Sequence, residues 1–179
     1  METYEIIGKV FGIGTFLLQI ALLVIVAIYI INPNSWVSNF AKKYALYFIT
    51  LLGITSIVGS LLYSEFLKFD PCKLCWIQRI FLYPTAVIGL VAIWNKDTKA
   101  LWYTMVLSII GAFFSIYHYI IQMMPVSGSL PCSANGEGGC GGIYVLEMGY
   151  ITIPMMTLTL FLYIILLSII GLRDVKKAN

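Results

Sequence analysis

The stretch of sequence that decides the fold lies between residues 72 and 94 and reads CKLCWIQRIFLYPTAVIGLVAIW. Two cysteines separated by two residues, Cys72 and Cys75, are followed directly by the apolar segment Trp76–Trp94, in which Arg79 is the one formal charge. About 20 mostly apolar residues allow an α-helix to cross roughly 30 Å of hydrocarbon. The stretch therefore predicts a transmembrane helix that begins with a C-x-x-C motif.

Four further apolar segments of similar length lie on either side of this one, and none of them has a formal charge. They are Val10–Ile31, Tyr44–Ser64, Ala100–Ile121 and Gly149–Gly171. Hydrophobic residues make up 60% of the chain and charged residues only 11%, whereas about 25% of the residues in soluble domains are charged. We therefore expect an all-α integral membrane protein with five transmembrane helices. Its basic residues form no clustered patch, which argues against binding to nucleic acid.

The positions of lysine and arginine between these segments predict how the chain crosses the membrane, because basic residues are enriched on the cytoplasmic side. Seven fall on the side of the C-terminus: Lys42, Lys43, Lys96, Lys99, Arg173, Lys176 and Lys177. Four fall on the opposite side: Lys9, Lys68, Lys73 and Arg79. We expect the N-terminus outside, the C-terminus inside, and both cysteine-containing segments outside.

The four cysteines form two pairs on that outer side, Cys72 with Cys75 and Cys132 with Cys140. Disulfides form and persist in oxidising compartments, so the pairs are either two structural disulfides or two redox-active dithiols. A zinc site is disfavoured, because structural zinc sites combine two short cysteine or histidine spacings. The seven residues between Cys132 and Cys140 include three glycines, which predicts a segment accessible to the thiol of another protein.

The surroundings of the first pair favour redox chemistry. A C-x-x-C at the start of a helix lies near unpaired backbone N–H groups, which stabilise a thiolate. Arg79 follows Cys75 by four residues and shares its helical face, so we expect Cys75 to be the thiolate. His118 is expected near the same membrane boundary, although Arg79 alone is also consistent with snorkelling and His118 with a simple polar contact. A dithiol that is oxidised repeatedly needs an electron acceptor, and in a membrane a quinone is the obvious one.

The segment Tyr63–Pro84 resembles the signature of DsbB-type thiol:quinone oxidoreductases, in particular the shorter Gram-positive members of the BdbC type. Its C-x-x-C-W-x-Q-R string is highly specific. Three further segments match in order and spacing: Gly111–Tyr119, Pro131-Cys132 and Gly149–Pro154. The resemblance implies a four-transmembrane-helix bundle at residues 44–172. Residues 1–43 would add one extra N-terminal transmembrane helix and a cytoplasmic loop, and residues 173–179 a short basic cytoplasmic tail.

The resemblance also implies an activity. The chain would reoxidise a DsbA-like dithiol protein outside the bacterial cytoplasmic (inner) membrane. It would pass the electrons to menaquinone or ubiquinone and so sustain disulfide bond formation. Cys132 would form the mixed disulfide with the partner, and Cys140 would relay to Cys72.

The quinone site implied by the resemblance lies at the start of the third helix. Cys75 would contact the quinone, and Arg79 would hold a quinone oxygen. His118 and Gln78 would complete the site, and no metal is expected.

Two alternatives stay open. One is a non-enzymatic membrane protein with two structural disulfides. The other is a quinone-linked oxidase of the vitamin K epoxide reductase type, although that family places its loop cysteines before the C-x-x-C motif and this chain has the reverse order. The extra N-terminal helix and the long spacing between Cys132 and Cys140 both depart from the DsbB pattern.

Overall fold

The computed structural model describes residues 3–124 and 140–178, and these residues form five α-helices. The helices are α1 (Thr3–Ile31), α2 (Trp36–Leu61), α3 (Lys73–Asn95), α4 (Ala100–Met123) and α5 (Ile153–Ala178). All five are long and apolar enough to cross a membrane. Among the described residues there is no β-strand beyond one isolated bridge between Glu147 and Ile151. The predicted all-α membrane fold is therefore confirmed.

Several helix ends differ from the apolar segments, because capping decides where a helix begins and hydropathy does not. Helix α2 starts at Trp36, since Ser35 caps it by accepting a hydrogen bond from the backbone N–H of Ser38 at 3.2 Å. Lys42 and Lys43 therefore lie within α2 and not in a loop. At its other end α2 continues into five residues of π-helix, Leu62–Phe66.

Helices α2 to α5 close into a four-helix ring. Helix α2 packs against α3 and α5, and α4 packs against the same two helices. The centre of the ring is apolar, with Ile49, Phe161 and Ile164 fully buried. Gly53 lets α2 approach α3 closely, since a Cβ atom there would lie 2.7 Å from the backbone nitrogen of Ala86. Small residues at such contacts are typical of helix packing in membranes. Lipid chains are as apolar as the side chains, so van der Waals packing between closely spaced helices stabilises their association.

Helix α1 lies outside this ring and packs against α2 and α5. Most of its surface remains exposed, as expected for a helix whose other neighbours are lipid chains. At the end of the ring where α1 begins, the start of α3 and the end of α4 meet the segment 140–152, which leads into α5. That end carries the described cysteines.

Candidate redox site

The first turn of α3 places two thiols side by side. Cys72 is the N-cap residue of α3, and its Sγ accepts a hydrogen bond from the backbone N–H of Cys75 at 3.4 Å. The two Sγ atoms lie 3.3 Å apart, and both cysteines are free thiols. The predicted C-x-x-C at a helix start is therefore present, with both sulfurs in one turn.

The surroundings of the pair favour a thiolate on Cys72, whereas the sequence favours one on Cys75. A hydrogen bond from the Cys75 thiol lowers the pKa of Cys72 well below its usual range, and His118 lowers it further, while burial opposes both effects. The N-cap position also directs the backbone N–H groups of the first turn towards this sulfur. The sequence prediction rested on the helix start and Arg79, and it did not place His118, which is 46 positions away in the chain, beside Cys72.

His118 is buried near the end of α4 and contacts both cysteine segments. Its Nε2 lies 3.6 Å from the Sγ of Cys72 and 3.2 Å from the backbone oxygen of Cys140. Its Nδ1 lies 3.1 Å from the amide nitrogen of Gln78. Because that amide nitrogen donates, Nδ1 accepts and the ring proton is on Nε2. The proton therefore points towards Cys72 and Cys140.

Cys140 brings the second cysteine pair to the same place. It is buried and takes part in a disulfide. Its Sγ, the Sγ of Cys72 and a ring nitrogen of His118 all lie within 4.8 Å of one another. Cys132 lies outside the described residues. A disulfide sulfur is not a thiolate ligand for a metal, so this arrangement suits disulfide exchange better than metal binding.

A cavity opens on the other side of the α3 turn, between α2, α3 and α5. Cys75, Gln78 and Arg79 all line it. The Nη2 of Arg79 donates to the backbone oxygen of Ser60 at 3.3 Å, and its guanidinium lies over the ring of Trp76, 5.1 Å from the centroid. These contacts hold Arg79 at the cavity wall, which favours a binding role over snorkelling.

Residues 42–171 match the family model described as "Disulfide bond formation protein DsbB". The chain belongs to the DsbB family. It is thereby a disulfide bond formation protein, and α1 lies before the residues that the family model matches.

Curated relatives agree with this assignment to the DsbB family. Disulfide bond formation protein C of Bacillus subtilis is 42% identical over 122 residues, which are 68% of this chain and 87% of that protein. The SPbeta prophage-derived disulfide bond formation protein B of Bacillus subtilis is 41% identical over 140 residues, or 76% of this chain and 91% of that protein. The probable disulfide formation protein C of Halalkalibacterium halodurans is 37% identical over 125 residues, which are 69% of this chain and 90% of that protein. No solved structure matches the chain.

The cavity has the chemical character of a site for a quinone, the cofactor implied by resemblance to the DsbB family. Most of its exposed surface is apolar. Tyr63 and Tyr83 line it, and their buried hydroxyl groups have no hydrogen-bond partner among the described residues. Together with Arg79 these tyrosines offer hydrogen-bond donors to the carbonyl oxygens that a quinone carries on its apolar ring. Neither tyrosine is among the residues predicted from the sequence to bind the quinone, although Tyr83 follows Arg79 by one helical turn.

His118 is the one described candidate that the structure moves to another place. We expected it at the quinone site, but it is not among the residues that line the cavity. Gln78 does line the cavity and also contacts His118. The first turns of α3 therefore separate two environments, with Cys72 and His118 on the Cys140 side and Cys75 and Arg79 on the cavity side.

Proposed function

We propose that this chain is a membrane thiol:quinone oxidoreductase. It reoxidises a DsbA-like dithiol protein and passes the electrons to menaquinone or ubiquinone in the membrane. The observation that carries this proposal is the position of the C-x-x-C turn. Cys72 lies beside the disulfide-bonded Cys140, whereas Cys75 lines an apolar cavity.

The first exchange takes place between the partner and the Cys132–Cys140 disulfide. A partner thiolate attacks Cys132, forming a mixed disulfide and releasing Cys140 as a thiolate. The second partner thiol resolves the mixed disulfide, so that the partner leaves oxidised and Cys132 and Cys140 are left reduced. Two electrons have then entered the chain, in line with ordinary thiol–disulfide exchange.

The second exchange transfers those two electrons to the C-x-x-C pair. The Cys140 thiolate attacks Cys72 of an oxidised Cys72–Cys75 disulfide, and Cys75 leaves as the thiolate. Attack of Cys132 on Cys140 then restores the Cys132–Cys140 disulfide and releases Cys72. The Nε2–H of His118 points towards the Cys72 sulfur and stabilises its thiolate. Free thiols at Cys72 and Cys75 with Cys140 in a disulfide are the redox state expected after this exchange.

The cavity residues hold the electron acceptor. A bound quinone supplies the capacity to take up two electrons and two protons. Arg79, Tyr63 and Tyr83, which line the cavity, would hold the quinone by donating hydrogen bonds to its carbonyl oxygens. Cys75 presents its sulfur to the same cavity.

We place the cysteine end of the ring outside the bacterial cytoplasmic membrane. The seven basic residues on the opposite side support this orientation. The chemistry supports it as well, because a disulfide persists in an oxidising compartment. A membrane-impermeant thiol reagent added to intact, reduced cells should then label the cysteines without membrane disruption.

The decisive experiment is an assay of the purified full-length protein with a reduced DsbA-like protein and a short-chain quinone. We expect quinone reduction that depends on the dithiol and is lost in Cys75→Ala. A protein with two structural disulfides would show no turnover.

A further inference from the structure

Helix α1 is fixed in one orientation by hydrogen bonds inside the apolar region. Gln19 donates from Nε2 to Oγ1 of Thr159 at 3.1 Å, and its Oε1 accepts from the hydroxyl of Tyr150 at 2.7 Å. The hydroxyl of Tyr163 donates to the backbone oxygen of Leu18 at 2.7 Å. Polar contacts of this kind hold helices together in membranes. They fix both the rotation and the depth of α1 against α5.

The first half of α1 makes a second close contact, with the segment that links Cys140 to α5. A Cβ atom at Gly12 would lie 2.6 Å from the Cβ of Glu147, so a glycine is needed for the helix to come this near. Gly8 faces the same side chain, with a Cβ position 3.2 Å from its Oε1. The contact is therefore specific to this register of α1.

This register places Phe11 in the wall of the cavity, at one end of a row of four aromatic rings. The ring of Phe11 lies 5.5 Å from that of Tyr63, Tyr63 lies 6.1 Å from Phe69, and Phe69 lies 4.9 Å from Tyr144. All four line the cavity. They come from α1, the π-helical end of α2, the segment before α3 and the segment after Cys140. π-Helical turns are often found at functional sites.

We propose that this aromatic row is the wall of the quinone site on the cysteine side and that α1 belongs to that site. Phe11 would contact the quinone ring, and Gln19 would act as a positioning residue through α1. Aromatic faces favour offset or edge contacts with a flat ring. The inference rests on the proposed function, because it takes the cavity occupant to be a quinone. It gives a role to a helix that lies outside the residues shared with the DsbB family model.

The test compares Phe11→Ala with Phe16→Ala in the full-length protein. Phe16 lies on the same helix, is exposed and does not line the cavity. Menadione and a short-chain ubiquinone analogue serve as probes. Their dissociation constants are obtained from the rise in Tm that each causes, since a ligand that binds the folded state stabilises it. KM for each quinone and the single-turnover rate of partner oxidation are measured alongside.

We expect Phe11→Ala to raise the dissociation constant and KM about fivefold, as for the loss of one aromatic contact. Partner oxidation in a single turnover should not change, and Phe16→Ala should behave as wild type. Gln19→Ala should weaken quinone binding in the same direction, which keeps the test informative if Phe11→Ala does not fold. Phe11→Leu should fall between wild type and Phe11→Ala.

The outcomes distinguish this inference from the proposed function. If wild-type protein neither binds nor reduces either quinone, the proposed function fails. If wild type does both and Phe11→Ala and Gln19→Ala bind equally well, α1 is not part of the site. Equal losses in Phe11→Ala and Phe16→Ala would reduce α1 to a structural helix and would also overturn the inference.

Discussion

At the scale of single residues, a thiolate on Cys72 determines how the reactivity of this sulfur depends on pH. An ordinary thiol has a pKa of about 8.5 and loses its thiolate as the pH falls towards neutral. The pKa of Cys72 is lowered, so its thiolate should persist at neutral pH and be lost only as the pH falls into the acid range. The rate of Cys72 alkylation, followed by mass spectrometry of the labelled peptide, should show this profile.

Two variants test which groups lower that pKa. Removing the hydrogen bond from the neighbouring thiol in Cys75→Ala should move the alkylation profile furthest towards alkaline pH, because that bond is the largest cause. His118→Ala should move it in the same direction by a smaller amount. An unchanged profile in His118→Ala would show that the 3.6 Å contact with Cys72 has no electrostatic effect.

Arg79 provides a second prediction at this scale. Arg79→Lys keeps the positive charge but loses the planar group that can make two hydrogen bonds and stack on a ring. The variant should insert and fold normally, while KM for quinone rises about tenfold, the equivalent of about 1.4 kcal/mol. Thermal unfolding of the purified variant supplies the control for folding. A normal KM would favour the snorkelling interpretation of Arg79.

The sequence predicts which residues carry the chemistry better than it predicts how they are arranged. The C-x-x-C spacing indicated two neighbouring thiols at a helix start, and Cys72 and Cys75 do lie together there. Contacts between distant helices decide the remaining roles. The position of His118 beside Cys72, and its absence from the cavity, depend on how α3 and α4 pack, which no local pattern encodes.

At the scale of the helices, close approach between α2 and α3 can be tested at one glycine. A Cβ at Gly53 would meet backbone atoms of Ala86, which have no room to move aside. Gly53→Ala should therefore lower stability by about 1–3 kcal/mol, the usual cost of overpacking. Thermal unfolding in detergent measures the change.

Gly14→Ala is the matched control for that experiment. Gly14 lies in α1, and a Cβ there would have no described atom within 4 Å. Its replacement should leave Tm unchanged or raise it slightly, because alanine favours a helix more than glycine does. A fall in Tm as large as that of Gly53→Ala would argue against close packing as the cause.

The helices themselves were largely predictable, because an apolar segment that spans a membrane has few other options. Their ends were not. Helix α2, capped by Ser35, begins at Trp36, eight residues before the apolar segment that starts at Tyr44. Gly149, expected inside the last helix, instead has a φ of +77° in the turn closed by the bridge between Glu147 and Ile151.

At the scale of the whole molecule, the order of electron flow can be read from trapped intermediates. A partner variant that keeps only its nucleophilic cysteine should be trapped in a mixed disulfide with Cys132, because the second partner thiol that would resolve it is missing. Cys72→Ala and Cys75→Ala should abolish quinone reduction but still allow one round of partner oxidation. Non-reducing gels and single-turnover assays separate these outcomes. Quinone turnover by Cys72→Ala at the wild-type rate would reverse the proposed order.

The arrangement of the helices around the ring is the part of the fold that the sequence left open. Hydropathy indicates five helices but not which of them are neighbours. The position of α1 depends on a few side chains, such as Gln19 and Gly12, that match partners near or within α5. Such pairs are recognisable only once the helices are in place.

The two sulfurs of the α3 turn face different neighbours, and this has a kinetic consequence. In the proposed function a protein substrate would dock at the Cys132–Cys140 pair and a lipid-soluble oxidant would enter the cavity beside Cys75, so the two would bind at separate places. An inhibitor lodged in the cavity would then compete with the oxidant but not with the protein substrate. In steady-state plots it should lower the maximal rate of substrate oxidation, and excess substrate should not relieve the inhibition.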